Sequence, residues 1–533
     1  MMSPVASGSQ SNGAARRAAG KRIAHPIAAM FTISDAPTGI SSISLDPSAP
    51  AHAYCQTHNA RFLAELKEFI RFPSVSAQPK HRDDVRQCAD WLANHCRAIG
   101  LEHVSVISTP KHPIVYAEWL HAKGSPTVLI YGHYDVQPPE PLNEWRTPPF
   151  EPTVRGPNLY GRGASDDKGQ MFVHIKALES YLHTAGRLPV NVKCLFEGEE
   201  EIGSPNLPAI LERNEDALAA DVAMMSDMPI LAPNRPAITY AMRGGLSLEL
   251  EVRGTTHDLH SGIFGGAVHN PLQALCEIIG RLHDTNRRLT IPCFYDRVRG
   301  LTSEERAYML RVGPSDTKIL SDAHALRGWG ERGYTLYERT TIRPALTVNG
   351  ITGGYQGPGV KAVIPATAVA KFNFRLVPDQ DPAEIDQLFR QHVQSITPST
   401  MQIKIRTLLS AHPAVVDRNR PAIRATAIAY RKGFGAAPVF LRSGGTIPVV
   451  NLFQTMLGIP TVLMGFALPA DRLHAPNEKF HLPNFFNGIN TSIYFLDEIS
   501  KTDAQRNSRC GYVAGTLCRA MDVAAAEIGE DDH

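Results

Sequence analysis

Five acidic or histidine-bearing segments are the parts of this sequence whose residue types suit catalysis. They are His133 with Asp135, Asp166 with Asp167, the glutamate run 199–201, Asp227 and His474. Taken alone, each has an ordinary explanation as a helix cap, a turn residue, a solvated surface or a loop histidine. Four of the five follow apolar, strand-like runs, so we expect them to gather at one edge of a sheet. Converging carboxylates are unfavourable there unless a cation joins them.

A divalent metal centre is the chemistry that this residue set predicts. Histidine, aspartate and glutamate without a thiolate suit zinc, manganese or cobalt. Five ligands are too few for two separate closed sites, but they suffice for two ions that share one carboxylate. Two ions about 3.5–4 Å apart can hold a water and a carbonyl oxygen together, which suits hydrolysis.

Neighbouring polar residues within these segments are predicted to divide the work. Glu200 and Glu201 would point to opposite sides of an extended segment, so one can bind metal while the other acts as a general base. The residue types alone leave open which glutamate is the base. Asp135 is predicted to accept the second N–H of His133 and so to fix its tautomer.

Alternating strands and helices must position these residues. Apolar runs predict strands over 127–131, 188–201, 221–227 and 459–465, and amphipathic patterns predict helices over 60–72, 83–100, 165–186 and 420–435. The third of these helices is predicted to start at a Ser165/Asp166 cap. A strand, a polar tip and a helix in repetition indicate an α/β layer, whose ligands bind at the carboxyl ends of its strands.

The pattern changes near Arg243. Residues 246–254 and 368–378 alternate apolar and polar side chains, which predicts half-exposed antiparallel strands, and 270–284 predicts a helix between them. An inserted α+β segment of about 170 residues therefore interrupts the α/β layer.

Length, charge and cysteine usage narrow the class of protein. A chain of 533 residues predicts two or more domains. A net charge of +2 gives no electrostatic reason to expect nucleic acid or an anionic membrane as a partner. No apolar run reaches the roughly 18 residues of a membrane span. The eight cysteines include no C-x-x-C pair, which favours a reducing, cytoplasmic location. The basic N-terminal segment leaves mitochondrial targeting open.

Six motifs together carry a family resemblance. In order they are "YGHYDVQP", "LYGRGASDDKGQ", "EGEEEIGS", "MMSDMP", "THDLHSGIFGG" and "LHAPNEK". Over about residues 55 to 500 the chain resembles the aminoacylase/carboxypeptidase superfamily of dinuclear metallopeptidases, in particular its carnosinase-like cytosolic dipeptidases. The resemblance implies an α/β catalytic domain with a mixed, mainly parallel sheet flanked by helices, interrupted by an α+β lid domain that also dimerises. The predicted organisation is a disordered tail (1–50), a first catalytic part (51–240), the lid (241–411), a second catalytic part (412–503) and a C-terminal tail (504–533).

The resemblance also implies a role for each candidate residue. It implies that one ion is bound by His133, Asp166 and Asp227, and the other by Asp166, Glu201 and His474, with Asp166 bridging. Asp166 is preferred to Asp167 because relatives often keep only the first acid of the pair. Glu200 matches the general base that acts on a water between the ions.

Four further residues match the substrate side of the family site. His260 matches a lid histidine that reaches the active site of the partner in a homodimer, although the residue alone would suggest a core or interface histidine. Arg375 matches an arginine that holds the substrate carboxylate, and Gly445 and Thr446 match a glycine-rich loop that lines the pocket. Ala362 departs from the family pattern, in which a hydroxyl residue tends to precede "VIP", so the substrate preference cannot be inherited.

The resulting prediction is a hydrolase with two divalent ions per subunit, zinc first and manganese or cobalt as alternatives, that cleaves the amide bond of dipeptides or similar small carboxylate-bearing substrates. The alternatives are an N-acyl amino acid deacylase on the same site and a non-catalytic relative that acts as a binding protein. A serine hydrolase is disfavoured because no G-x-S-x-G motif is present.

Overall fold

The structure is a computed structural model and describes residues 46–502. Within this range the helices are α1 (Ala49–Arg71), α2 (Arg82–Ala98), α3 (Lys168–Ala185), α4 (Leu207–Arg213), α5 (Glu215–Leu218), α6 (Ser261–Phe264), α7 (Pro271–Arg281), α8 (Ser303–Val312), α9 (Asp316–Asp322), α10 (Leu336–Thr341), α11 (Pro382–Ile396), α12 (Pro421–Phe434), α13 (Pro448–Met456) and α14 (Leu482–Ser500). Short 3₁₀ helices span Pro79–His81, Leu142–Glu144 and Glu200–Ile202.

The strands of the same range form two large sheets and two small ones. They are β1 (Glu102–Ile107), β2 (Ile114–Trp119), β3 (Thr127–His133), β4 (Thr153–Arg155), β5 (Asn158–Tyr160), β6 (Asn191–Glu197), β7 (Val222–Met225), β8 (Ala237–Met242), β9 (Gly244–Arg253), β10 (Leu259–His260), β11 (Ala345–Gly353), β12 (Val363–Ile364), β13 (Thr367–Leu376), β14 (Gln402–Ala411), β15 (Ala414–Val415), β16 (Val439–Ser443), β17 (Thr461–Met464) and β18 (Lys479–His481).

The larger sheet is mixed. Its order is β1-β2-β6-β3-β7-β17-β8-β15, and β16 pairs with β8. The central strands β6, β3, β7 and β17 run parallel, while the pairs β1-β2, β2-β6, β17-β8 and β8-β15 are antiparallel. The carboxyl ends of four neighbouring parallel strands therefore meet at one edge.

Helices cover both faces of this sheet, as β3 illustrates. Val128 and Ile130 enter one core with α1, α2, α3, α12 and α14, whereas Leu129 and Tyr131 enter a second core with α4 and α13. Burial on both faces explains why β3 is a continuous apolar run rather than an alternating one. The predicted α/β class, a mixed sheet flanked by helices, is confirmed.

The second sheet is antiparallel and has the order β11-β13-β9-β14. On β9 the apolar residues Leu246, Leu248 and Leu250 are buried and alternate with Ser247 and Glu249, as the period-two pattern predicts. Helices α7 and α11 pack on the buried face. All four strands lie within the range 241–411, whose exact boundaries stay a prediction.

Local structure differs from the sequence-based predictions at three points. Helix α3 begins at Lys168 and has Asp167, not Ser165 or Asp166, as its N-cap residue. Helix α1 begins at Ala49, eleven residues before the predicted start at 60, because its first turns are also amphipathic. Residues 200–202 form a 3₁₀ turn instead of an extended segment.

Other predictions meet the described residues only in part. The predicted tails lie outside them apart from residues 46–50. No helix between residues 46 and 502 combines the length and apolar character that crossing a membrane requires. Cys55, Cys88, Cys96, Cys194, Cys276 and Cys293 are free thiols, and the other two cysteines lie outside the described range.

Candidate metal centre

The carboxyl edge of the central parallel strands collects the candidate ligands. His133 is the last residue of β3, Glu201 lies in the 3₁₀ turn after β6, and Asp227 follows β7. His474 comes from the connection between β17 and β18, and Asp166 from the loop before α3. Parallel pairing brings the first three together, since parallel strands end at the same edge.

Asp166 stands between two groups of ligand atoms. Asp166 Oδ1 lies 3.1 Å from His133 Nε2, and Oδ2 lies 2.8 Å from His474 Nε2. His474 Nε2 also lies 3.4 Å from Glu201 Oε2. In each of the groups His133/Asp166/Asp227 and Asp166/Glu201/His474, one ligand atom per residue lies within 4.8 Å of the others. The structure thus brings together all five predicted ligands, with Asp166 in both groups.

The neighbouring Asp167 belongs to neither group. Its carboxylate is fully buried, Oδ2 accepts a hydrogen bond from the His133 backbone N–H at 3.4 Å, and Oδ1 has no partner among the described residues. The choice of Asp166 over Asp167 therefore agrees with the placement of the two side chains.

Asp135 makes contacts that the sequence did not predict. His133 Nδ1 lies 3.0 Å from the Asp135 backbone carbonyl and 3.4 Å from its carboxylate. The carboxylate accepts hydrogen bonds from the backbone N–H groups of Glu200, at 3.2 Å, and Glu201, at 3.1 Å. Asp135 is fully buried. Its backbone carbonyl is the nearer acceptor for His133 and orients the imidazole, while its carboxylate fixes the 3₁₀ turn.

The 3₁₀ turn presents Glu201 to the ligand group. Gln137 Nε2 donates to Glu201 Oε2 at 2.7 Å, whereas Glu201 Oε1 is buried without a hydrogen-bond partner in the described part of the chain. A buried carboxylate oxygen without a partner is unfavourable. A bound cation would supply the missing partner.

Crowded negative charge perturbs the acids of the centre. Burial and the nearby Asp166 raise the pKa of Glu201 to about 9 and that of Asp227 to about 7. Burial also raises the pKa of Glu200 well above its usual range, with repulsion from Asp227 and Glu201 in addition. For Asp166 burial acts to raise the pKa, but hydrogen bonds with His133 and His474 outweigh it and lower the pKa. The centre therefore concentrates more negative charge than its own histidines neutralise.

The donor set fits two divalent ions. Two imidazoles and three carboxylates form two three-residue groups that share one carboxylate, and no thiolate takes part. The buried oxygen of Glu201 and the mutual repulsion of the acids are both relieved by cations at these positions.

A third group of possible ligands has a different explanation. Ligand atoms of Glu65, His95 and Glu179 also cluster, but Lys176 Nζ lies 2.7 Å from Glu179 Oε2 and 2.8 Å from His95 Nε2, and is hydrogen-bonded to Glu65. The lysine ammonium supplies the positive charge there, so the group is an internal ion-pair network.

Predicted substrate-side residues lie in the inserted segment and in the loop after β16. Arg375 on β13 donates from Nη1 to Thr446 Oγ1 at 2.8 Å, and Thr446 donates to the Arg243 carbonyl at 2.8 Å. Gly445 precedes this threonine, and its N–H donates to Ser443 Oγ at 3.1 Å. The structure thus joins Arg375 to the glycine-rich loop.

His260 has no described contact with the metal centre of its own chain. It is exposed on the short strand β10, which pairs with β12 next to Ala362. Its Nδ1 accepts a hydrogen bond from the Gly262 N–H at 3.0 Å. A neutral imidazole that accepts at Nδ1 carries its proton on Nε2, so His260 can donate to an incoming group.

Leu409 is a candidate site residue that the sequence did not reveal. A methyl carbon placed on Gly245 would lie 3.6 Å from Leu409 Cδ2 and 3.7 Å from Thr446 Oγ1, and one on Gly203 would lie 3.9 Å from Leu409 Cδ1. Leu409 follows a register shift on β14 and is 41% exposed. A leucine within a strand-like pattern normally predicts a core residue, so the sequence gives no signal for this position. The register shift on β14, which turns Leu409 toward the surface, is seen only in the structure.

Comparisons with known proteins agree with this geometry. The family profile described as "Peptidase family M20/M25/M40" matches residues 129–498. The Beta-Ala-His dipeptidase of Mus musculus is 30% identical over 465 residues, which cover 84% of this chain and 94% of the relative. The Cys-Gly metallodipeptidase DUG1 of Candida albicans is 30% identical and covers 84% of this chain and 96% of its own. The solved M20 family metallo-carboxypeptidase Sso-CP2 from Sulfolobus solfataricus has a TM-score of 0.75 and 34% identity, and the match covers 82% of this chain and 99% of that one.

Proposed function

The chain belongs to peptidase family M20/M25/M40, and from this membership we propose that it is a metal-dependent dipeptidase. The membership confirms the resemblance carried by the six motifs. The observation that carries the proposal is the position of Asp166, whose two carboxylate oxygens lie 3.1 and 2.8 Å from histidines of different segments. One carboxylate shared by two ligand groups is the arrangement that a two-ion hydrolase needs.

Two divalent ions would occupy the centre. His133, Asp166 and Asp227 would hold one ion, and Asp166, Glu201 and His474 the other. Zinc suits this set of imidazoles and carboxylates, with manganese and cobalt as alternatives. Such ions supply Lewis acidity, which lowers the pKa of water and polarises a carbonyl group.

Glu200 would act as the general base. It takes a proton from the attacking water and returns it to the nitrogen of the leaving amine. Its backbone N–H donates a hydrogen bond to Asp135 Oδ1 at 3.2 Å, which restrains the turn that carries the base. Positive charge at the centre favours the ionised carboxylate that this role requires, because burial and, in addition, neighbouring acids otherwise raise the pKa of Glu200.

Arg375, Gly445 and Thr446 would bind the end of the substrate that carries its carboxylate. A guanidinium group forms two parallel hydrogen bonds to a carboxylate, and Arg375 is half-buried, which limits competition from water at this position. The hydroxyl of Thr446 accepts a hydrogen bond from Arg375 Nη1 and so fixes the orientation of the guanidinium group. A small peptide with a free carboxylate is the substrate that this arrangement favours.

His260 would serve the active site of a partner subunit in a homodimer. Its exposure and the proton on Nε2 suit a donor that polarises the scissile carbonyl across an interface. The lid surface offers further apolar contacts, since Val348 and Ile351 on the edge strand β11 are 39% and 45% exposed. A cytoplasmic location remains our proposal, and it is supported by the six free thiols of the described residues.

Metal analysis and a substrate screen on one preparation test this function. We expect two divalent ions per chain, loss of activity on chelation, recovery on adding back zinc, manganese or cobalt, and preferential turnover of dipeptides. Full activity in protein shown to be metal-free would contradict the proposal. Preferential turnover of N-acyl amino acids, or of longer peptides from their carboxyl end, would redirect it to a deacylase or a carboxypeptidase. Metal binding without turnover of any of these would favour a binding protein.

A further inference from the structure

Glu478 is a fully buried carboxylate that belongs to neither ligand group. Its Oε2 accepts hydrogen bonds from Arg162 Nη1 at 2.7 Å and from the Gly163 N–H at 3.0 Å. Its Oε1 accepts from the backbone N–H groups of Ser165 at 2.9 Å and Asp166 at 3.1 Å. Its side chain has no exposed surface, so these four donors, and no solvent, satisfy the charge.

These contacts connect the two segments that meet at the second ligand group. Glu478 lies four residues after His474, and three of its four donors are backbone groups of the loop that ends in Asp166. The Gly161 N–H also donates to the Glu478 carbonyl at 3.1 Å. Glu478 therefore makes most of the hydrogen bonds between the loop and the His474 segment, and Ser165 Oγ adds a longer one to Asp471 Oδ2 at 3.3 Å.

We propose that Glu478 is a positioning residue that sets the spacing between Asp166 and His474 and thereby the affinity of the ion held by both. The inference rests on the proposed two-metal function. The residue does not touch the reacting atoms. It acts by fixing the main chain that carries each ligand, as hydrogen-bonded residues behind metal ligands do.

A carboxylate is needed at this position for a physical reason. Hydrogen bonds from N–H groups to an ionised acceptor are about twice as strong as neutral ones, and the two oxygens share four donors here. Glutamine has the same shape, but its NH₂ group would face two of these donors and leave them without an acceptor. The loop would lose part of its anchoring while the chain keeps its volume.

The expected effect is unequal at the two ions, which separates positioning from general stability. His133 is the last residue of β3 and Asp227 lies two residues after β7, and neither is hydrogen-bonded to Glu478. The group that contains His474 depends on Glu478 for two of its three ligands. His474 has a φ of +60°, in the left-handed region that non-glycine residues seldom adopt, so its main chain needs outside support.

The test compares Glu478→Gln with Glu338→Gln in the full chain. Glu338 is an equally buried carboxylate that is bonded to the Thr335 N–H and to Arg306, and it lies in α10. Cobalt or zinc is titrated into metal-free protein, and affinity is measured by calorimetry together with the visible spectrum of bound cobalt. For Glu478→Gln we expect the ion of the His133 group to be weakened less than the other, because Asp166 is the one ligand of that group that Glu478 anchors. The Kd of the other should rise about 10- to 100-fold, with an altered cobalt spectrum. Glu338→Gln should bind both ions as the wild type does.

Wild-type affinity for both ions in Glu478→Gln would overturn the inference. The inference would also be overturned if the Kd values of both ions rose equally in Glu478→Gln and rose by the same factor in Glu338→Gln. That result would indicate a general loss of stability. If Glu478→Gln does not fold, Glu478→Asp retains the charge with a shorter reach and should show the same unequal weakening. A wild-type protein that binds a single ion would instead contradict the two-metal function itself, so the two failures are distinct.

Discussion

At the scale of single residues, the glutamates of the 3₁₀ turn differ in their surroundings. Glu201 lies within 3.4 Å of His474 and accepts from Gln137, whereas Glu200 belongs to neither ligand group. The difference supports one role for each residue even though they are adjacent. It does not arise from an extended backbone, because the segment forms a turn.

Glu200→Gln should retain both ions and lose at least about 100-fold in kcat, because it removes a base but no ligand. Glu201→Ala should lose the ion of the His474 group. Metal content by mass spectrometry and steady-state kinetics measure the two effects, with the exposed Glu212→Gln as a control that retains both properties. An emptied metal site in Glu200→Gln together with full metal content in Glu201→Ala would reverse the two assignments.

Leu409 should influence which dipeptides are cleaved. It lies near Gly203, which ends the 3₁₀ turn of Glu201, and near Gly245, which is also close to Thr446 of the proposed carboxylate site. We expect a preference for apolar C-terminal residues, and a roughly tenfold loss of kcat/KM for these in Leu409→Asn, with little change for C-terminal glycine. Leu408→Asn, at the adjacent and 51% exposed leucine, is the matched control. Equal effects of the two substitutions would exclude a specific role for Leu409.

At the scale of elements, helix α3 is the support on which the Asp166 loop rests. Residues Lys168 to Tyr181 are all buried, since the helix lies between the large sheet and the helices α1 and α14. Its polar side chains are therefore satisfied internally. His174, for example, is bonded through Nδ1 to Ser492 Oγ at 2.9 Å and through Nε2 to Ser226 Oγ at 2.5 Å.

His174 should make the protein sensitive to acid. Burial lowers its pKa from 6.5 to about 3, so the native histidine stays neutral while the unfolded one gains a proton below about 6.5. The unfolded state then binds more protons, and stability is lost as the pH falls from about 6.5 towards about 3. Urea unfolding of metal-free protein at pH 7.5 and pH 5 should show a loss about 2 kcal/mol smaller in His174→Gln than in the wild type. The exposed His324→Asn should keep the wild-type dependence, and an unchanged loss in His174→Gln would contradict this origin.

At the scale of the whole molecule, we expect the proposed active site to need residues of two chains. The ligands and Glu200 lie at the edge of the large sheet, whereas His260 is exposed on a separate two-stranded sheet of the inserted segment. A two-fold dimer in which each lid reaches the partner would complete both sites at once.

Mixed dimers test this exchange. Glu200→Gln and His260→Ala should each be nearly inactive as pure dimers, and refolding them together makes about half of the dimers mixed. In a mixed dimer, one site combines an intact Glu200 from one chain with an intact His260 from the other. Activity should therefore return to roughly a quarter of the wild-type value if the sites act independently. Background activity in a mixture shown to contain heterodimers would rule out the shared site.

The sequence by itself determined the class of fold and was enough to predict a metal site. Apolar runs that end in polar residues predicted the strands β3, β6 and β7, because a strand buried on both faces must be apolar along its length. Strand ends in a parallel layer converge, so His133, the glutamate run 199–201 and Asp227 could be assigned to one centre before any contact was known, whereas the choice of Glu201 as the ligand came from the family resemblance. These inferences depend on periodicity and residue type, which are local properties of the chain.

Only the tertiary structure decided which side chains meet. Asp166 lies between histidines that are 33 residues before it and 308 residues after it, and Glu478 fastens its loop from 312 residues away. The shift of the α3 cap to Asp167, the turn at Glu200 and the position of Leu409 likewise depend on neighbours from distant segments. Such contacts follow from how the whole chain packs, and no short window of sequence contains both partners.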